Sequence, residues 1–177
     1  MKLIGITGKK RTGKDTAAAT LSVECGYDRF AFASLLKAMT YSLLARLGID
    51  PQTAYKMVDG DLKEMPCPQL CGKHTRWVMQ TLGTEWGRKC IDENFWVRAT
   101  LRAASSADKA VISDVRFANE AQAIRDAGGR VVRLLRGNDN GDSHASEVMD
   151  FDVDFTIDNN GTINQLREYI LDYEHTI

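Results

Sequence analysis

Leu3-Ile4-Gly5-Ile6-Thr7-Gly8-Lys9-Lys10-Arg11-Thr12-Gly13-Lys14-Asp15-Thr16 is the stretch that decides the fold. A short apolar run ends at Ile6, and a loop with a glycine at each end follows it. The spacing is Gly8, four residues, then Gly13-Lys14, with a hydroxyl residue close behind at Thr16. Each part has a physical use. Glycines let the backbone turn tightly and aim successive N–H groups at phosphate oxygens. Lys14 reaches the β- and γ-phosphates of a nucleotide. A helix starting at about residue 14 adds its positive dipole end to the same anion. A β-strand over residues 2–7, a phosphate-binding loop and a helix over about 14–25 are therefore expected, with Gly8, Lys10, Arg11, Thr12, Gly13, Lys14, Asp15 and Thr16 as the ATP-phosphate site.

One position departs from the usual pattern. The residue after the lysine is normally Ser or Thr, which binds Mg²⁺; here it is Asp15, and the hydroxyl comes at Thr16. Small-molecule nucleotide kinases such as adenylate kinases share that order. Asp15 either holds Mg²⁺ through water or takes part in the reaction, and spacing does not choose between these.

Outward from this loop, strands and helices alternate. Tyr27–Phe32 reads as a short strand, and Ser34 as the cap of a helix over about 34–48, with Leu35, Met39, Leu43 and Leu47 at helical spacing and Gly48 closing it. Residues 59–73 hold Gly60, Pro66, Pro68 and Gly72 and read as irregular. Helices are expected at about 75–89, 93–106, 119–127 and 163–173, and strands at 110–114, 131–135 and 154–158. Residues 137–143, rich in Gly, Asn and Asp, read as a loop. Such alternation implies an α/β fold with a parallel sheet and right-handed crossovers, whose ligands bind at the carboxyl ends of the strands. The mostly helical insertion, about 34–106, is expected to overhang that rim and hold a second substrate.

Composition narrows the function. The chain has 177 residues, 27% charged and 44% hydrophobic, with a net charge of −1, which marks neither a nucleic-acid polymer binder nor a membrane binder. No apolar run is long enough to cross a bilayer, and the first strand starts at once, so a cytoplasmic location is expected. Cys25, Cys67, Cys71 and Cys90 are then expected as reduced thiols. Cys67, Cys71 and His74 with Cys90 suggest zinc only weakly, because their spacing is irregular.

Three further stretches carry chemistry. Ala110-Val111-Ile112-Ser113-Asp114 ends a strand on a carboxylate, as a Walker B segment does, making Asp114 a Mg²⁺ candidate beside Asp15 and Thr16. Arg116 and Glu120, four apart just beyond, can pair on one helix face. In Arg76–Arg88, residues Arg76, Gln80, Gly83, Thr84 and Gly87 share one side of a helix. Its two interior glycines cost about 1 kcal/mol each relative to Ala, which suits a helix that a flat ring or a phosphate must approach. Trp96 either stacks on a base or packs in the core. Arg136, at a strand end, can close over a triphosphate, and His144 either caps a helix or contacts a nucleotide. Arg133 alternates away from Leu134 and is expected to be solvated or paired.

Four segments together resemble the deoxynucleoside monophosphate kinases of tailed phages: Gly8–Thr16, Gln80–Arg88, Ser113–Glu120 and His144–Glu147. The resemblance spans essentially the whole chain, and Gln80–Arg88 is its specific part. It implies a three-layer P-loop kinase fold in a single domain, a lid-like loop at about 136–147, and transfer of the ATP γ-phosphoryl group to a dNMP with Mg²⁺. It places Arg76, Arg88, Trp96, Arg116 and Glu120 on the acceptor side, with Asp114 between the substrates; Ser34, Lys37, Gln80, Thr84 and His144 are further acceptor candidates. Lys14, Asp15, Arg76, Arg116, Asp114 and Arg136 are the catalytic candidates. Family members suggest a homodimer. Competing readings are a kinase for another small acceptor, such as dephospho-coenzyme A, and an ATP-binding switch that needs no acceptor.

Overall fold

The computed structural model describes residues 1–137 and 150–177. In chain order its elements are β1 (Lys2–Thr7), α1 (Lys14–Cys25), β2 (Asp28–Phe30), α2 (Ser34–Arg46), α3 (Pro51–Val58), a 3₁₀ turn (Pro68–Leu70), α4 (Thr75–Gln80), a π-helix (Thr81–Ile91), α5 (Phe95–Ala104), β3 (Lys109–Val115), α6 (Ala118–Asp126), β4 (Arg130–Leu135), β5 (Phe155–Asp158) and α7 (Ile163–His175). The chain divides into two compact units, residues 1–31 with 100–177, and residues 32–99.

The first unit is built on a five-stranded sheet in the order β2-β3-β1-β4-β5, with every pairing parallel. A parallel sheet is covered on both faces, so its strands read as near-continuous apolar runs, as Leu3-Ile4 and Ala110-Val111-Ile112 do. Ile4 and Ile6 of β1 bury one face against Ala17, Ala18 and Leu21 of α1 and Leu166 and Ile170 of α7. Gly5 alternates to the other face, where a Cβ would come within 2.6 Å of Ile124 Cδ1; its bare backbone is what lets α6 close on β1. In register, Thr7 meets Val115 of β3 and Arg133 of β4, and Leu135 meets Asp158 of β5. One rim thus collects the carboxyl ends of β1, β3, β4 and β5.

The second unit is helical. Leu44, Ala54, Met57, Val58 and Cys67 form its core, flanked by Tyr41, Ile49, Leu62, Leu70 and Met79. The hydroxyl of Thr75, fully buried, donates to the Met57 carbonyl and ties the start of α4 to the end of α3. Four expectations change here. Ser34 does not cap α2: the cap position is Ala33, with no side-chain bond, and Ser34 is the first helical residue. The stripe Leu35, Leu43 and Leu47 stays exposed (42%, 41% and 37%), while α2 buries Thr40 and Leu44. Residues 51–58, where no element is expected, form α3, started by Pro51 in the first turn and by Asp50, whose side chain accepts from Thr53 N–H at 2.9 Å. The single helix expected at 75–89 is α4 followed by eleven residues of π-helix.

Candidate active site

The loop between β1 and α1 folds as its glycines require. Gly8, Arg11 and Gly13 have φ of 145°, 68° and 98°. A Cβ at Gly8 would lie 2.5 Å from the Leu134 carbonyl oxygen and 2.7 Å from Thr12 Oγ1, so β4 and the loop leave room for hydrogen only. Thr12, 4% exposed, points inward, and its hydroxyl donates to the Lys9 carbonyl at 2.9 Å. Lys14 turns back over the loop, and its Nζ donates to the Gly8 and Lys9 carbonyls at 2.6 Å each. An ammonium held across a turn of backbone N–H groups, at the start of a helix, is a cradle for an anion. Lys10 and Arg11 are exposed, and Thr16 is half-buried. The Asp15 side chain is 97% exposed, with Arg29 Nη2 4.0 Å away.

The loop has a support that motif spacing does not reveal. Asn159, just past β5 and buried, donates from Nδ2 to the Thr12 carbonyl at 2.9 Å. Its neighbour Asn160 accepts the Gly137 N–H at 2.7 Å, next to Arg136. The signal lay in two adjacent asparagines after the last strand, but nothing in sequence says which carbonyl such a side chain meets.

Asp114 lies one residue before Val115, the residue in register with Thr7 at the base of the loop, and is half-buried. Glu120 is 2% exposed, and its Oε2 accepts the backbone N–H groups of Arg116 and Phe117 at 2.7 and 3.1 Å. This carboxylate therefore caps α6 through the N–H of Phe117, its cap residue, and also holds the Arg116 N–H; the pair expected between Arg116 and Glu120 is thus a bond to the Arg116 backbone, and the Arg116 side chain is exposed. Arg136 is exposed at the end of β4. Arg133 is half-buried, and its Nη2 donates to the Phe151 carbonyl at 2.6 Å.

Mg²⁺ is suited by hard oxygen donors, keeps several waters, and is commonly held by one or two carboxylates plus substrate phosphates. Asp114 and Thr16 carry oxygen donors of that kind. Among the described residues no group of three or more His, Cys, Asp or Glu side chains could hold a metal by itself. His74 instead caps α4, accepting the Trp77 N–H on Nδ1 at 3.0 Å, and all four cysteines are free thiols.

In the helical unit, Lys37 Nζ donates to Asp59 Oδ1 and the Tyr41 hydroxyl to Asp59 Oδ2, both at 2.7 Å. Burial would raise the Asp59 carboxyl, but the bonds from Lys37 and Tyr41 outweigh it and hold it low. Burial and the same bond push the Tyr41 phenol up to about 12. Ser34 is exposed. Arg76 Nε lies 3.3 Å from Glu64 Oε1, both side chains largely exposed. Gln80 and Thr84 are exposed and Arg88 half-buried along α4 and the π-helix. Trp96 is 4% exposed; its Nε1 donates to the Gly83 carbonyl at 2.8 Å, and its ring meets Phe95 at 4.8 Å and Trp86 at 6.1 Å. Of the two accounts of Trp96, the structure shows packing. The flat ring that Gly87 admits is the chain's own. His144 lies outside the described residues, as does most of the lid-like segment.

Known structures share this fold. The shikimate kinase of Aquifex aeolicus superposes with a TM-score of 0.52 at 15% identity, over 99% of this chain and 97% of that one. The dephospho-CoA kinase of Campylobacter jejuni gives 0.51 at 13% identity, over 99% and 96%. At such identities the likeness is one of fold alone. In sequence, a protein of Acanthamoeba polyphaga mimivirus, provisionally named a deoxynucleotide monophosphate kinase, is 31% identical over 189 residues, 97% of this chain and 95% of the relative. Residues 73–170 match the family model described as deoxynucleotide monophosphate kinase, and that span holds α4, the π-helix and the rim candidates Asp114, Arg116 and Arg136. On these two matches the chain belongs to the deoxynucleotide monophosphate kinase family.

Proposed function

We propose that the chain transfers the γ-phosphoryl group of ATP to a deoxynucleoside monophosphate, giving ADP and a deoxynucleoside diphosphate. The observation that carries this is the loop in which Lys14 is bonded to the Gly8 and Lys9 carbonyls at the end of the central strand, in a chain of this family. The acceptor phosphate oxygen is already a nucleophile. It attacks the γ-phosphorus, and the bond to the β–γ bridging oxygen breaks. No strong base is needed, and catalysis is alignment plus neutralisation of charge.

The residues divide by what they offer. Gly8–Thr16 receive the ATP phosphates, with Lys14 at the β- and γ-positions. Thr16 and Asp114 would hold Mg²⁺, which when bound shields the phosphate charge and helps align the transfer. Asp15, with its side chain in solvent, is available to that ion through water. Arg76 or Arg88 grips the acceptor phosphate. Arg76 is free to do so because its exposed pair with Glu64 is worth only about 0–1 kcal/mol and exchanges readily for a phosphate. Lys37, Gln80 and Thr84 serve the acceptor; Arg116 and Arg136 supply further positive charge.

The test is ADP release with ATP and Mg²⁺, run separately with dAMP, dGMP, dCMP, dTMP, their ribose counterparts, dephospho-coenzyme A and no acceptor. Turnover with deoxynucleoside monophosphates alone is the expected result and gives the base preference at once. Release without any acceptor would sink the reading. If Arg76→Ala and Arg88→Ala both left acceptor KM and kcat unchanged, the assignment of those two arginines would be wrong.

A further inference from the structure

The Thr12–Gly13 peptide is held from one side. Its carbonyl oxygen accepts a bond from Asn159 Nδ2 at 2.9 Å, and Asn159 is itself fixed through its backbone N–H, which donates to the Leu135 carbonyl at 2.7 Å. Asn159 is 3% exposed. That side of the loop is packed shut: a Cβ built on Gly13 would lie 2.6 Å from Asn159 Nδ2 and 3.0 Å from Leu166 Cδ2. In a trans peptide the C=O and the N–H point in opposite directions. A carbonyl drawn toward Asn159 therefore turns the Gly13 N–H away from the packed side.

We propose that Asn159 is a positioning residue of the phosphate loop, which sets the orientation of the Thr12–Gly13 peptide so that the Gly13 N–H is presented to a nucleotide phosphate. This rests on the phosphotransfer reading above and adds to it a residue from the opposite end of the sequence. The chemistry explains the residue type. A carbonyl only accepts, so the partner must donate. A neutral amide donates without adding a second charge beside Lys14. An aspartate of the same shape would set an anionic oxygen against the carbonyl and near the phosphates. Gly13, with φ of 98°, has the conformational freedom to turn its peptide over once the bond is lost.

The test uses the full chain and two substitutions of similar size, Asn159→Asp and Asn159→Leu. ATP binding without acceptor is measured by calorimetry, KM is measured for each substrate, and the Gly13 amide is followed by ¹H–¹⁵N NMR during ATP titration. Both variants are expected to weaken ATP binding at least about tenfold, as loss of a buried bond does, while acceptor KM stays within about twofold. In the unsubstituted chain the Gly13 amide is expected among those that ATP shifts most. That measurement stands even if a variant does not fold, and a Gly13 amide unmoved by ATP would overturn the proposal. So would folded variants that bind ATP like the parent, or KM values that rise together for both substrates. A parent chain that binds no ATP would overturn the phosphotransfer reading itself, whereas normal parent binding with unaltered variants overturns only the role of Asn159.

Discussion

A Cβ on Gly87 would lie 2.4 Å from Trp96 Nε1 and 2.6–2.7 Å from two of its ring carbons, while one on Gly83 would meet nothing nearer than Leu36 Cδ2 at 3.4 Å. Two glycines in one helix therefore respond to alanine with opposite signs. Gly83→Ala gains up to about 1 kcal/mol from helix propensity. Gly87→Ala has the same propensity gain but displaces a buried indole, and overpacking of that kind costs about 1–3 kcal/mol, for a net loss. Urea melts of the two variants check this; equal signs would show that Trp96 is not seated as described. Under the function proposed above, the test for Lys14 is one of rate. Lys14→Ala is expected to lower kcat by about 10²–10³, the scale of one preorganised electrostatic contact, with acceptor binding retained. The contrast marks what a sequence discloses at a single residue. The turn around Lys14 and its glycines was legible because local spacing specifies its backbone conformation. Glu120 as a cap and Trp96 as a strut were not, because each acts through whichever backbone atom folding brings to it, and spacing carries no record of that.

Among the elements, the sheet strands were the most legible, since an apolar run bounded by turn residues has few alternatives; β1, β3, β4 and β5 all lie within a residue or two of expectation. The helical unit was harder to read. Its α2 carries apolar residues on more than one face, so the spacing of Leu35, Met39, Leu43 and Leu47 did not identify the buried side, which is Thr40 and Leu44. The π-helix is the sharpest departure. Long π-helices are rare, because the wider turn loses contacts across the helix axis, and short ones cluster at functional sites. Here an indole, packed against Phe95 and Trp86, donates to the Gly83 carbonyl within the π-helix Thr81–Ile91. Trp96→Phe keeps an aromatic ring and removes that one donor. Amide exchange across 81–91 is expected to accelerate, and acceptor KM to rise, because Thr84 and Arg88 are carried on this segment; ATP KM is expected to stay constant. An unchanged exchange pattern would mean that the glycines and backbone hold the register without the indole.

At the scale of the whole chain, the first unit is fastened at the end of the sheet opposite the candidate site. Lys2 and Lys109 lie side by side at the starts of β1 and β3, in register, where like charges repel. Glu174 of α7, 6% exposed, lies between them: its Oε1 accepts from Lys2 Nζ at 3.0 Å, Lys109 Nζ at 3.2 Å and the Tyr27 hydroxyl at 3.3 Å. One carboxylate thus joins elements from both ends of the chain. Burial alone would raise its proton affinity, but the bonds and charges of the two lysines outweigh burial and hold the carboxyl below its ordinary value of 4.5. The sign of the pH dependence follows. The unfolded carboxyl binds its proton at higher pH than the folded one, so stability from this group is complete above about pH 5. It is lost as pH falls below 4.5 and through the lowered folded value. Glu174→Gln leaves the two lysines facing each other. Because each lysine is 38% exposed and partly screened by water, the loss at pH 7 is expected at about 1–3 kcal/mol, less than for a fully buried pair. Melts of parent and variant should converge as the pH is lowered from 5 toward 3, while ATP and acceptor KM at pH 7 stay alike, since Lys2 and Lys109 lie at the strand starts and the phosphate loop follows the carboxyl end of β1. A stability gap that stayed constant with pH would show that Glu174 acts by packing and not by charge.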